Sequence, residues 1–231
     1  MKRERIPALR PANAVFDGRD QIVTLQELID LARPADVGLY CELKHPTDLA
    51  AAGHDTVVLL AEALKRNGLD RGDAPVVAEC FEVGAVRRLR ELTSVRLTQL
   101  VAAEGAPPDR PAGPAYAEMI VPAGLREIAR YADGIGPEKR LVLPRGEGGR
   151  SLPPTRLCAD AHDAGLRVHA WTFRAENVFL PAELRRGEAA ATRGDLEAEC
   201  TLGFAAGLDG LFCDQPALAV AARNRFAAAR L

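Results

Sequence analysis

Residues 165–181 read GLRVHAWTFRAENVFLP, and the fold turns on how this stretch is read. Leu166 to Phe173 is an apolar run of strand length, and Gly165 before it is a turn residue. In an α/β protein the chemistry sits where such a strand ends. Alternate residues of a strand share a face. His169, Trp171 and Phe173 therefore share one side, and Val168, Ala170 and Thr172 the other. Val and Ala suit a helix-packed face, so the reading turns His169, Trp171 and Phe173 inward. Trp171 is then either a packing plug or the wall of a pocket.

Working outward, the same kind of run recurs at 37–44, 75–81, 95–101, 132–137 and 208–214. Between these runs lie TVVLLAEALKRNG (56–68), EVGAVRRLREL (82–92) and PPTRLCADAHDAG (153–165), with apolar residues three and four apart. TLQELIDLA (24–32) is a further helix with Thr24 as N-cap, and DLEAECTLGFAAG (195–207) is another. The stretch 102–129 reads as a loop plus one short helix. Repeated strand and helix units build a parallel sheet under helices. An open doubly wound sheet would want a GxGxxG turn after an early strand, and none is present. RGEGGR (145–150) opens no helix and reads as a loop. The expected fold is a TIM (β/α) barrel in a single domain over 1–231, incomplete, with about six parallel strands where a full barrel has eight.

Composition is that of an ordinary globular chain: 231 residues, 48% hydrophobic, 27% charged and a net charge of -2. Nothing in it forms a basic nucleic-acid footprint, and no apolar run reaches the ~18 residues of a bilayer span. The opening MKRERIPALRP has no apolar core and is not a secretory signal, and the compartment is left open. The five cysteines are scattered and lack a CxxC pair, so neither a disulfide framework nor a zinc site is indicated. Cys41, Cys80 and Cys213 fall inside the strand runs, as small hydrophobes.

In YCELK, Tyr40, Glu42 and Lys44 share one face, and Leu39, Cys41 and Leu43 the helix-packing face. Two readings are open. Glu42 and Lys44 form a structural ion pair at the barrel mouth, or they hold a cation and a phosphate there. His169 lies one layer deeper, as a hydrogen-bonded core histidine. His45, His54 and His162 have loop or solvated contexts, and no two histidines have the spacing of a metal or acid/base pair. Asp214 ends the last strand at the mouth, and Asp209 precedes it in a turn.

TLQELIDLA, YCELKHPTD (40–48), YADGIGPEK (131–139), GLRVHAWTFRAENVFLP, GDLEAE (194–199) and GLDGLFCDQP (207–216), in this order, resemble the glycerophosphodiester phosphodiesterase family. The likeness is greatest to its bacterial branch with a long loop after the seventh strand. It runs from Arg5 to about Ala217. It implies a TIM barrel that hydrolyses small glycerophosphodiesters to glycerol 3-phosphate and an alcohol with a divalent cation, Ca²⁺ or Mg²⁺. It further implies Glu42 as metal ligand, and Lys44 and Trp171 as substrate-binding residues. The family's His-Arg-Gly, Pro-Glu-Asn-Thr and Glu-x-Asp motifs and its second catalytic histidine have no counterpart. The six strands therefore correspond to the family's third to eighth, and no catalytic residue is assigned. The expectation is an inactive chain that binds its cation weakly, or a remnant that binds phosphate esters. Cys213 stands where Thr is usual and Cys80 where Ser is usual. Two open sheet edges are expected to favour self-association.

Overall fold

A computed structural model describes residues 3–230. Six strands form one parallel sheet in chain order: β1 (Leu39–Leu43), β2 (Val76–Cys80), β3 (Arg96–Val101), β4 (Gly134–Pro137), β5 (Arg167–Phe173) and β6 (Gly210–Cys213). The edges are β1 and β6, and the sheet curls into a half-barrel. The curl brings the edges within side-chain reach, for the Tyr40 and Phe212 ring centroids are 4.8 Å apart, edge to face.

Helices α1 (Leu25–Ala32), α2 (Pro46–Ala51), α3 (Thr56–Arg66), α4 (Val83–Leu92), α5 (Tyr116–Met119), α6 (Pro122–Ile128), α7 (Leu157–Asp163), α8 (Leu196–Ala205) and α9 (Pro216–Ala228) flank and connect the strands, with short 3-10 turns in the longer connections. Thr24 caps α1 in a reciprocal box with Glu27, and Asp195 caps α8 through the Ala198 amide. The expected loop and short helix over 102–129 contain two helices, α5 and α6. Both are short, and Pro122 opens α6, so helical periodicity was too brief to read. No described helix is long and apolar enough to cross a membrane.

The core lies between the outer sheet face and the helices. Val76, Ala78 and Cys80 of β2, Leu97 and Val101 of β3, Ile135, and Val168 and Ala170 of β5 are buried there with Leu64, Leu89, Leu125 and Ile128. The edge strands are half-buried throughout, because each has a neighbour on one side only. Cys41 and Cys213 share this partial exposure, while Cys80 is buried.

The inner face is filled differently. The Tyr40 hydroxyl lies 2.8 Å from Thr98 Oγ1 and 2.9 Å from His169 Nδ1, able to donate to one and accept from the other. Burial lowers the His169 pKa and keeps the ring neutral. Residues before α1 form a strap over the C-terminal ends of the strands. Arg10 pins it, donating from Nε to Glu176 at 2.5 Å and from Nη2 to Asp214 at 2.8 Å.

Replacing Tyr40 with Phe removes one hydroxyl and leaves two enclosed groups without their partner. Urea unfolding of Tyr40→Phe is expected to show a loss of about 1–2 kcal/mol. An unchanged midpoint would mean that this interior contact does not hold the curl.

Candidate active site

At the C-terminal ends of the strands the half-barrel opens into a concavity of about 470 Å³. Glu42 and Lys44 of the first strand and its end, Glu79 of β2, Trp171 and Arg174 from β5 and its end, and Asp214 after β6 line it. The strap adds Arg5. Strand parity places these side chains: Glu42 and Glu79 are register partners across the β1–β2 ladder, so both turn to the inner face.

Charge is distributed unevenly over this wall. Lys44 Nζ donates to Glu42 Oε1 at 2.5 Å, with the lysine side chain 64% exposed and the glutamate 26%. Such a pair is solvated enough to open readily. Glu79 is only 5% exposed. Its Oε2 is buried and has no hydrogen-bond partner among the described residues. Burial, reinforced by the charge of Glu42 and offset in part by Lys44, pushes the Glu79 carboxyl up to about 8. Asp214 accepts from Arg10 at 2.8 Å and from Arg174 at 2.9 Å, so its charge is already matched.

The opposite wall is aromatic. Trp171 donates its indole N–H to the Gly136 carbonyl at 2.7 Å and meets Phe81 edge to face, centroids 5.6 Å apart. A Cβ at Gly136 would lie 2.6 Å from Leu100 Cδ2, so any side chain there would require Leu100 to move.

The structure thus brings Glu42, Lys44 and Trp171 into one concavity, with His169 in the layer that holds Tyr40. Phe173 departs from the inward face expected of it. It is fully buried, with its ring 3.3 Å from where a Cβ on Gly203 of α8 would stand. The β5–β6 register shifts between Ala170 and Phe173, and this irregularity breaks the alternation that the parity argument assumed. Two His-Asp pairs do occur, His54–Asp55 and His162–Asp163. Both are outside the concavity: His54 is exposed before α3, and His162 lies 2.9 Å from Asp209, which also receives the Val168 amide. Sequence reasoning missed Glu79. The available signal was a lone carboxylate in the apolar run PVVAECF, on the face opposite Val76, Ala78 and Cys80.

The family model for the glycerophosphoryl diester phosphodiesterase family matches residues 2–218. The chain belongs to this family. A glycerophosphodiester phosphodiesterase of Arabidopsis thaliana is 30% identical over 214 residues, covering 86% of this chain and 55% of the relative. One from Treponema pallidum is 26% identical over 198 residues, covering 79% and 54%. Two solved structures, described as candidate glycerophosphoryl diester phosphodiesterases, share the fold. The one from Silicibacter pomeroyi has a TM-score of 0.58 at 22% identity, over 90% of this chain and 57% of its own. The one from Agrobacterium tumefaciens has 0.56 at 20%, over 89% and 65%. This phosphodiesterase-family chain spans about half the length of the curated relatives it matches.

The raised Glu79 pKa has a consequence for stability. Between its ordinary 4.5 and about 8 the folded chain holds a proton that the unfolded chain has released. Stability from this group is therefore fully present below about 4.5 and is lost as pH rises through about 8. The charged groups that share the concavity are Glu42, Lys44, Arg5, Arg174 and Asp214. Unfolding of wild type and Glu79→Gln at pH 5 and 8.5 should show wild type losing stability relative to the variant, on the order of a few kcal/mol. A constant difference between the two pH values would contradict the assignment.

Proposed function

We propose that this chain supplies the phosphate-holding and cation-holding part of a site for hydrolysing glycerophosphodiesters to glycerol 3-phosphate and an alcohol. The observation that carries the reading is the meeting of Glu42, Lys44 and Trp171 in one concavity of a chain from this family. Lys44 is free to swing from Glu42 to a phosphate oxygen, because most of its side chain is in solvent. Trp171 and Phe81 offer an apolar wall for the carbon skeleton of the ester. Glu42 presents a carboxylate at the mouth, an oxygen donor of the kind that hard cations take, and would hold Ca²⁺ or Mg²⁺. Such a cation, when bound, polarises phosphoryl oxygens and stabilises the charge they gain.

Proton transfer is the weak point of this inventory. Hydrolysis needs a base for the attacking water and an acid for the leaving oxygen. None of the four histidines lines the concavity. This favours a second reading of the 231 residues by themselves, as a module that binds phosphate esters without turnover. Binding ground state and transition state alike does not speed the chemical step. The half-open sheet also supports self-association through β1 and β6, which present unpaired backbone groups.

Calorimetry with glycerol 3-phosphate should detect binding, and Lys44→Ala should weaken it about tenfold, the equivalent of ~1.4 kcal/mol. Glycerophosphocholine with Ca²⁺ or Mg²⁺ should release choline no faster than buffer does. Cation-dependent turnover lost on Glu42→Ala would overturn the binding-only reading, and absence of any phosphate-ester binding would sink the site assignment. Sedimentation velocity should show the apparent mass rising with concentration, whereas a constant monomer would refute association through the edges.

A further inference from the structure

Glu79 is the one enclosed carboxylate of this concavity without a cationic partner. Asp214 has two arginines, and Glu42 has Lys44. Glu79 Oε2 has no hydrogen bond at all among the described residues. A buried acceptor left without a donor costs about 1–3 kcal/mol, so native structures rarely keep one without a use. The register of β1 and β2 sets Glu79 beside Glu42. Neighbouring strands lie about 4.8 Å apart, so two same-face carboxylates in register cannot both be charged unless a cation joins them.

We propose that Glu79 is a second protein ligand, with Glu42, for one divalent cation of the Mg²⁺ class. The inference rests on the reading of Glu42 given above and extends it to a residue on the adjacent strand. The number of donors selects the ion. Mg²⁺ keeps several waters and is commonly bound through one or two carboxylates together with phosphate oxygens. Ca²⁺ takes 6–8 oxygens. No group of three or more His, Cys, Asp or Glu side chains is placed for a metal among the described residues, and Asp214 is held by Arg10 and Arg174. Two carboxylates therefore suit the ion that needs fewest protein ligands. Charge agrees: a 2+ ion that displaces the Glu79 proton to solvent offsets Glu42 and Glu79 together, and releases Lys44 to a phosphate.

Mn²⁺ serves as the probe, read by the loss of its free electron paramagnetic resonance signal on titration with the full chain, without substrate. Wild type should bind one Mn²⁺, displaced more readily by Mg²⁺ than by Ca²⁺. Glu79→Gln and Glu42→Gln should each weaken binding at least tenfold, and Glu79→Asp, which keeps the carboxylate, should retain part of it. Circular dichroism of each variant checks that it folds. Loss of binding in Glu42→Gln with Glu79→Gln unchanged would overturn the role of Glu79 and leave the Glu42 reading standing. Wild type that binds no Mn²⁺ would overturn the proposal as a whole, while glycerol 3-phosphate calorimetry separately judges the phosphate site. Preference for Ca²⁺ over Mg²⁺ would refute the choice of ion.

Discussion

A curled sheet must fill its own interior, and in this chain one hydroxyl does much of that work. Tyr40 of β1 reaches Thr98 of β3 and His169 of β5 at hydrogen-bond distance, and its ring meets Phe212 of β6. Alternate strands contribute to one layer, which is how barrel interiors are packed. Hydrogen bonds along the ladder join each strand only to its neighbours. The Tyr40 contacts join strands that share no ladder. The edge-to-face contact of Phe81, at the end of β2, with Trp171 of β5 does the same one layer up.

The layer above inherits its character from this one. Beneath, Tyr40, Thr98 and His169 satisfy one another, and burial lowers the His169 pKa. Above, Glu42, Glu79, Lys44 and Asp214 face a space that the half-barrel leaves open. The same curl that brings β1 towards β6 brings an acidic wall to face an aromatic one. The strap then trims the charge, because Arg10 matches both Glu176 and Asp214. What is left over is the pair on β1 and β2, where the one lysine is taken by Glu42 and Glu79 Oε2 has no partner among the described residues.

Membership of the phosphodiesterase family and an open sheet are compatible in physical terms. The outer face of every central strand is sealed by helices, which supplies a core independent of barrel closure. The edges remain half-buried, and the grooves beside them are lined by Leu39, Leu59 and Leu60 on one side and by Leu211, Phe204 and Phe226 on the other. In a closed barrel each of these edges would instead be paired with a further strand.

Local pattern determined most of the architecture. Apolar runs of strand length and helices with three- and four-residue spacing were legible because both periodicities are properties of neighbouring residues. Parity alone turned Tyr40, Glu42 and Lys44 to one face, and position at a strand end put Glu42, Lys44 and Trp171 at the mouth. Three things were left to the tertiary structure. The register shift in β5 sent Phe173 outward to α8, which no alternation rule could foresee. Asp214 acquired one of its two arginine partners, Arg10, from 204 positions away. Glu79, a lone acid in an apolar run, became a buried carboxylate beside Glu42 only when β1 and β2 paired in that register. Burial and charge pairing are set by residues that meet in space, and sequence periodicity carries no information about distant partners.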